Sequence, residues 1–466
     1  MQINVQNIVG NFNSFINSLD EFTNQHLVSF VFQVDKFDLL SSLNPLSIAF
    51  KKIFLFQSPG SKYSFVALNS ATKLSESGHS NISETIENYE FLKKSFINNW
   101  NEFQLDSLPI ICTAIKFDPQ KISDDWNNFN SINIFIPELA FYTNNGNTYG
   151  CFNFIDSEKP NIQKYFSSLL NTVIQITNEK TSEDKKVNGY NYIETEDEKE
   201  QWLKTSREAI DVLSNDKIQK LVISRSHSFN LVHNPNFKEL LQKLTNRFPD
   251  CYLFYLKQSE SHFFGSSPEM FLKIFGNLAE VESVAGSAPR GKKYDSDEKL
   301  EEYLKSSKKN HKEHEFVTDF ISNTLKKFSD KVKIKEEKRI KKLDNIQHLT
   351  TKISAELKSN VHIFKIVDSL FPTPAVCGLP KNEAMEIIRK LETHDRGLYS
   401  GLIGWMDFDG NCELAVSIRS TLVKNNNVTA YAGAGLVKVS NPEDEFLETK
   451  LKLDPILSLF KLSAAK

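Results

Sequence analysis

Short apolar runs separated by Asn, Ser and Gly clusters fill the first 180 residues, and they predict strands at 28–34, 52–56 and 135–141. Apolar positions at helical spacing follow over 161–177, and a polar, charged stretch at 178–200 reads as an exposed connector. Beyond it, 204–213 reads as a helix and Lys220-Leu-Val-Ile-Ser224 as a strand. Further strands are expected at 252–256, 270–274, 414–422 and 428–431, and helices at 297–327, 381–390 and 442–453. Strands and helices interleave irregularly instead of as strict βαβ repeats. That favours an α+β fold over a doubly wound parallel sheet. The pattern divides the chain into an N-terminal region, 1–180, and a second region, 194–466.

Composition narrows the function classes. The chain has 466 residues, 40% of them hydrophobic, which is ample for a large core. A formal net charge of −3 gives no general pull toward nucleic acid or an anionic membrane. The basic cluster from Lys331 to Lys342 reads as a solvated loop. Cys112, Cys151, Cys251, Cys377 and Cys412 include no CxxC pair, so neither a disulfide framework nor a zinc ribbon is indicated. A reduced, cytoplasmic setting is the natural reading. The N-terminus lacks a basic and apolar leader pattern, and the first arginine is Arg207. The most apolar early stretch, 39–56, is broken by Lys51 and Lys52, so no membrane span is expected. The 36 phenylalanines read as a compositional bias.

Candidate chemistry gathers in the second region. Gly433-Ala-Gly435 reads as a turn leading into a helix capped by Asn441 or Ser440, with Pro442 at its first position. On that helix Glu445, Glu448 and Lys452 fall at i, i+3 and i+7, and about 100° per residue puts them on one face. Two carboxylates and an ammonium beside a Gly-rich turn suit a metal and an anionic small molecule. Lys220 stands at the mouth of an apolar strand. Phe264-Gly-Ser-Ser-Pro-Glu269 reads as a tight turn projecting a glutamate, and Glu282-Ser-Val-Ala-Gly-Ser-Ala-Pro-Arg-Gly291 as a second Gly-containing turn. Lys309-Asn-His-Lys-Glu313 lies on a charged helix. Singly, each has an ordinary explanation: a strand-end lysine reaches solvent, and helix glutamates pair with lysines. His311 and His314 suggest zinc at first glance, but their spacing is i, i+3 and HExxH is absent.

Together, with Phe371-Pro-Thr-Pro-Ala-Val-Cys-Gly-Leu-Pro380 and Arg396-Gly-Leu-Tyr-Ser-Gly-Leu-Ile-Gly404, these segments resemble the chorismate-utilising enzymes. That family comprises the isochorismate, anthranilate, aminodeoxychorismate and salicylate synthases. The resemblance runs from about Glu194 to Phe460 in unbroken motif order. It implies a large two-sheet α+β sandwich of the anthranilate synthase component I type with flanking helices, completed by residues 1–180. It also implies a dianionic cyclohexadiene substrate bound with Mg²⁺. By the same resemblance Glu313 and Glu448 hold the metal, with Glu445 and Glu282 nearby. Gly286, Ser287, His348, Thr373, Tyr399, Arg419, the backbone of Gly435, and Lys452 would surround the substrate. Oxygen ligands suit magnesium, and arginine suits a carboxylate clamp.

Lys220 picks the member. Ammonia-using relatives carry a different polar residue there, whereas isochorismate and salicylate synthases carry the lysine. The resemblance makes Lys220 the general base for water attacking C2, and Glu269 the general acid for the departing C4 hydroxyl. A base lysine must spend time neutral near pH 7, which burial near a cation would promote. The acid needs a raised pKa. Ala285 replaces the lysine nucleophile of aminodeoxychorismate synthases, and the 372–380 segment looks like isochorismate synthases. Ser287 stands where many relatives have Thr, and Phe371 where His or Gln is frequent. The expectation is an isochorismate synthase acting on chorismate, without a glutaminase subunit, as a monomer or weak homodimer. A salicylate synthase and a chorismate-binding protein without turnover are the alternatives.

Overall fold

The computed structural model describes residues 4–460 apart from 20–25, 35–36, 62, 76–81, 106–107, 109, 145, 157–160, 179–195, 216 and 292. Most of the expected connector at 178–200 therefore lies outside the described residues. Its last residues already belong to the helix Glu196–Leu213.

Two large sheets carry the α+β fold. The first has twelve strands and the second nine. Among the described residues, pairing is antiparallel apart from one edge, where Leu27–Val34 runs parallel to Phe96–Asn98. Strands from both halves of the chain share each sheet. Lys52–Gln57 pairs with Tyr252–Gln258 in the first, and Ile111–Ile115 with Leu402–Met406 in the second.

The uninterrupted apolar runs have a physical reason. Alternate side chains of Leu27–Val34 face opposite ways. Leu27 and Val31 enter the core shared by the two sheets. Val28, Phe30, Phe32 and Val34 enter a second core under the helices Val5–Ser18 and Ile162–Asn178. A strand buried on both faces shows no polar alternation. Many phenylalanines serve this outer core, where Phe12 meets Phe30, Phe152 and Phe166 ring to ring. Each buried ring contributes roughly 1.5–3 kcal/mol. All five cysteines are buried and free. No helix among the described residues is long and apolar enough to cross a membrane.

Several local expectations need correction. The run at 135–141 is two strands, Ile132–Ile136 in the nine-stranded sheet and Leu139–Asn144 in the twelve-stranded one. Pro137, which has no N–H to give a ladder, stands at the crossing. The run at 414–422 likewise splits into Cys412–Val416 and Ser420–Lys424, again in different sheets. The 297–327 helix is two, Tyr294–Ser306 and Lys308–Leu325, broken at Ser307, whose hydroxyl caps the second by accepting from Asn310 N. The basic cluster is no loop but the edge strand Ser329–Lys342. Lysine on an edge discourages further strand pairing.

Candidate active site

The site lies where the chain passes between sheets. Strand Ser261–Ser267 belongs to the twelve-stranded sheet and Met270–Phe275 to the other, so Pro268 and Glu269 form the crossing. Ser417, Ile418 and Arg419 form another. Pro268, Glu269, Ile418 and Arg419 all line one cavity of about 720 Å³. Arg419 has φ 50, a left-handed backbone unusual for a side-chain-bearing residue, and one found at ligand clamps.

Both expected Gly turns are strands. Gly286 sits in Leu278–Pro289, where the register shifts between Val284 and Ser287. Its φ of 79 allows the bulge that re-aims this segment. Gly433 and Gly435 sit within Asn427–Leu436. A methyl at Gly435 would lie 2.3 Å from Glu313 Oε1 and 2.9 Å from Lys220 Cε, so close approach selects glycine there. Gly435→Ala is expected to push aside Glu313, the metal ligand that the family resemblance implies, and to weaken magnesium binding by about 10–100-fold, measured by calorimetric titration.

The helix Pro442–Leu457 begins as the sequence implies. Asn441 accepts from Glu443 N and Asp444 N, and Pro442 follows. Glu448 pairs with Lys452 at 2.7 Å. Burial opposes ionisation of Glu448, but the Lys452 ammonium outweighs it and holds the carboxyl below its usual range. Burial and the Glu448 charge push Glu445 up to about 7. Lys309, from the helix Lys308–Leu325, grips Glu445.

Glu313, Glu448, Glu269, Gly286, Ser287, His348, Tyr399, Arg419, Gly435 and Lys452 line the cavity together. Lys220 is buried just behind this wall, its Nζ 2.9 Å from Glu313 Oε1. The charged neighbour of Lys220 is thus a carboxylate, not the cation expected. Thr373, Glu445 and Glu282 stand outside the lining. Thr373 Oγ1 and Arg419 Nη1 are buried without a hydrogen-bond partner among the described residues. Such orphaned polar atoms mark a place for a polar ligand.

Sequence reasoning missed Lys341, whose Nζ lies 2.8 Å from Glu282 Oε2 and 2.6 Å from Pro268 O. The alternation Lys331-Val332-Lys333-Ile334-Lys335 is the strand signal that could have found it. Ala375, Val376, Ser400 and Val222 also line the cavity and were missed. The two histidines near Glu313 do not converge. His314 contacts Thr351 Oγ1 at 2.7 Å, and His311 contacts Lys305 O.

A polar relay joins two parts of the site. Arg419 Nη2 lies 3.0 Å from His348 Nε2. A guanidinium only donates, so Nε2 accepts and the proton belongs on Nδ1, which donates to Ser287 Oγ at 2.9 Å. The Ser287 hydroxyl is bonded to Glu448 in turn. Burial, then Arg419, keep His348 far below its usual pKa, and thus neutral. Glu269 shows the opposite displacement. Burial and the neighbouring Glu282 push its carboxyl up to about 8, against the pull of Lys220, Lys341 and Lys452.

A family model described as "Chorismate binding enzyme" matches residues 14–461. The chain belongs to the chorismate-binding enzymes. It is 27% identical over 443 residues to the isochorismate synthase MenF of Bacillus subtilis, covering 93% of each chain. It is 35% identical over 248 residues to anthranilate synthase component 1 of Saccharolobus solfataricus, covering 53% of this chain and 58% of that one. The solved structure of the menaquinone-specific isochorismate synthase MenF from Escherichia coli superposes with a TM-score of 0.79 at 21% identity. That match covers 98% of this chain and 100% of the other, and establishes the shared two-sheet fold.

The donor set of this chorismate-binding enzyme fits a hard cation. Glu313 and Glu448 present carboxylate oxygens to one cavity. Among the described residues no three His, Cys, Asp or Glu form a ready-made cage. Two carboxylates with room for waters and substrate oxygens suit magnesium, which keeps part of its hydration shell.

Proposed function

We propose that the protein is an isochorismate synthase, converting chorismate to isochorismate by adding water at C2 with loss of the C4 hydroxyl. The observation that carries this reading is Lys220, buried behind the cavity wall and packed against Gly435 beside Glu313. In its neutral form its Nζ takes a proton from the water whose oxygen bonds to C2. The ring double bond shifts, the C4–O bond breaks, and Glu269 gives its proton to the leaving hydroxyl. A carboxyl held up to about 8 keeps that proton at neutral pH. One water enters and one leaves, so the reaction is an isomerisation.

Arg419 and Tyr399 hold the substrate, Arg419 through the carboxylate-matching guanidinium whose Nη1 has no partner among the described residues. Tyr399 is fixed by stacking on Tyr431 at 5.2 Å. Glu313 and Glu448 would hold a magnesium ion, which when bound supplies positive charge for the ring carboxylate. The His348–Ser287 relay links the Arg419 clamp to Glu448 through hydrogen bonds.

Chromatographic resolution of products after incubation with chorismate and magnesium tests the reading. Isochorismate without pyruvate release is expected. Salicylate with pyruvate would assign the chain to the salicylate synthases, and no turnover would leave a binding protein. Glu448→Ala is expected to raise the magnesium concentration for half-maximal rate by about 10–100-fold or more. An unchanged requirement would remove Glu448 from the ligand set.

A further inference from the structure

Carboxylates and ammoniums meet here in one-to-one pairs. Lys220 pairs with Glu313 at 2.9 Å, Lys452 with Glu448 at 2.7 Å, and Lys309 with Glu445. Glu313 and Glu448 are also the oxygens that the proposed function gives to the metal, and this inference rests on that reading. Ammonium and magnesium thus claim the same carboxylates. A divalent ion and an ammonium on one carboxylate repel each other at short range, in a site where burial weakens screening. Lys220 is 1% exposed on its side chain and Glu313 12%.

We propose that Lys220 and Lys452 are counter-cations of the metal site, and that metal entry must displace their ammoniums from Glu313 and Glu448. Magnesium and a dianionic substrate together add no net charge. The displaced Lys452 ammonium therefore finds a new partner on the substrate side, and Lys220 is left to act as the base. The two lysines differ in tether. Lys452 Nζ also donates to the carbonyl oxygen of Gly433 at 2.9 Å, which keeps it on the cavity wall after Glu448 lets go. Among the described residues Lys220 has no second hydrogen bond of that kind, so its release is the larger movement. This makes Lys220 a gate on metal affinity as well as a base.

The test is calorimetric titration with magnesium alone, without chorismate. Wild type, Lys220→Met, Lys452→Met and Glu313→Gln are compared, with Lys331→Met on the exposed edge strand as baseline. Lys220→Met is expected to bind magnesium at least about tenfold tighter than wild type, since a competing ion pair is gone. Lys452→Met should tighten by a smaller factor. Structural damage would weaken binding instead. Thermal melting gives a second readout. Lys220→Met leaves the half-buried Glu313 without its ion-pair partner, so it should melt below wild type without magnesium and gain more than wild type when magnesium is added. If both lysine variants bind magnesium no tighter than wild type while Glu313→Gln binds it less well, the counter-cation role is wrong and the ligand assignment stands. If Glu313→Gln binds as wild type does, the ligand assignment fails and the inference with it. Should Lys220→Met not fold, Lys452→Met decides.

Discussion

Lys220→Gln is expected to lower turnover of chorismate by about 10²–10⁴-fold while leaving chorismate affinity within a few-fold of wild type. Glutamine keeps polarity at one atom less in length but cannot take a proton from water. The substrate contacts assigned to Arg419, Tyr399 and Lys452 do not pass through Lys220, so binding should survive. The residue lies at the first position of the strand Lys220–Asn230, paired with Leu379 on one side. That pairing fixes its backbone and leaves the side chain as the variable. Steady-state turnover and equilibrium chorismate binding, measured on the same preparation, separate the two effects. Unchanged turnover would remove the base assignment, and a parallel loss of binding would make Lys220 a substrate clamp.

Glu269→Gln is expected to lower turnover by a similar factor and, unusually for an active-site change, to stabilise the fold. Burial and Glu282 raise the Glu269 carboxyl from 4.5 to about 8 in the folded chain. Between those values the native state holds a proton that the unfolded chain has released. Wild-type stability from this group is therefore complete below the ordinary carboxyl range and is lost as pH rises to about 8, by up to about 1.4 kcal/mol per pH unit. Glutamine does not titrate. The gain of the variant should be small at pH 5, grow up to pH 8, and level off above it. Urea midpoints across that range check the prediction. A gain that does not change with pH would mean that Glu269 is not held protonated.

Much of the site was legible because its residues sit in short local patterns. Asn441, Pro442, Glu448 and Lys452 follow helix geometry, and the helix at 381–390 appears as Lys381–Leu391. What stayed hidden is tertiary. Hydrophobic alternation runs on through Val416-Ser417-Ile418-Arg419 although the strand partner changes there, and nothing local announces a change of sheet. Gly433 and Gly435 look like a turn because the reason for them is remote. Ile223 O and Glu313 Oε1 crowd the places where their Cβ atoms would go. Lys309 and Lys341 looked like members of solvated charge runs, and only the folded chain brings them to Glu445 and Glu282.

The central claim is that water, directed to C2 by Lys220, replaces the C4 hydroxyl and leaves an intact isochorismate. Its most direct test is incubation with chorismate and magnesium in ¹⁸O-labelled water, with the early product resolved by chromatography and mass. Isochorismate carrying a single heavy oxygen as its C2 hydroxyl is expected, with no pyruvate released. Unlabelled isochorismate, or salicylate with pyruvate, would contradict it.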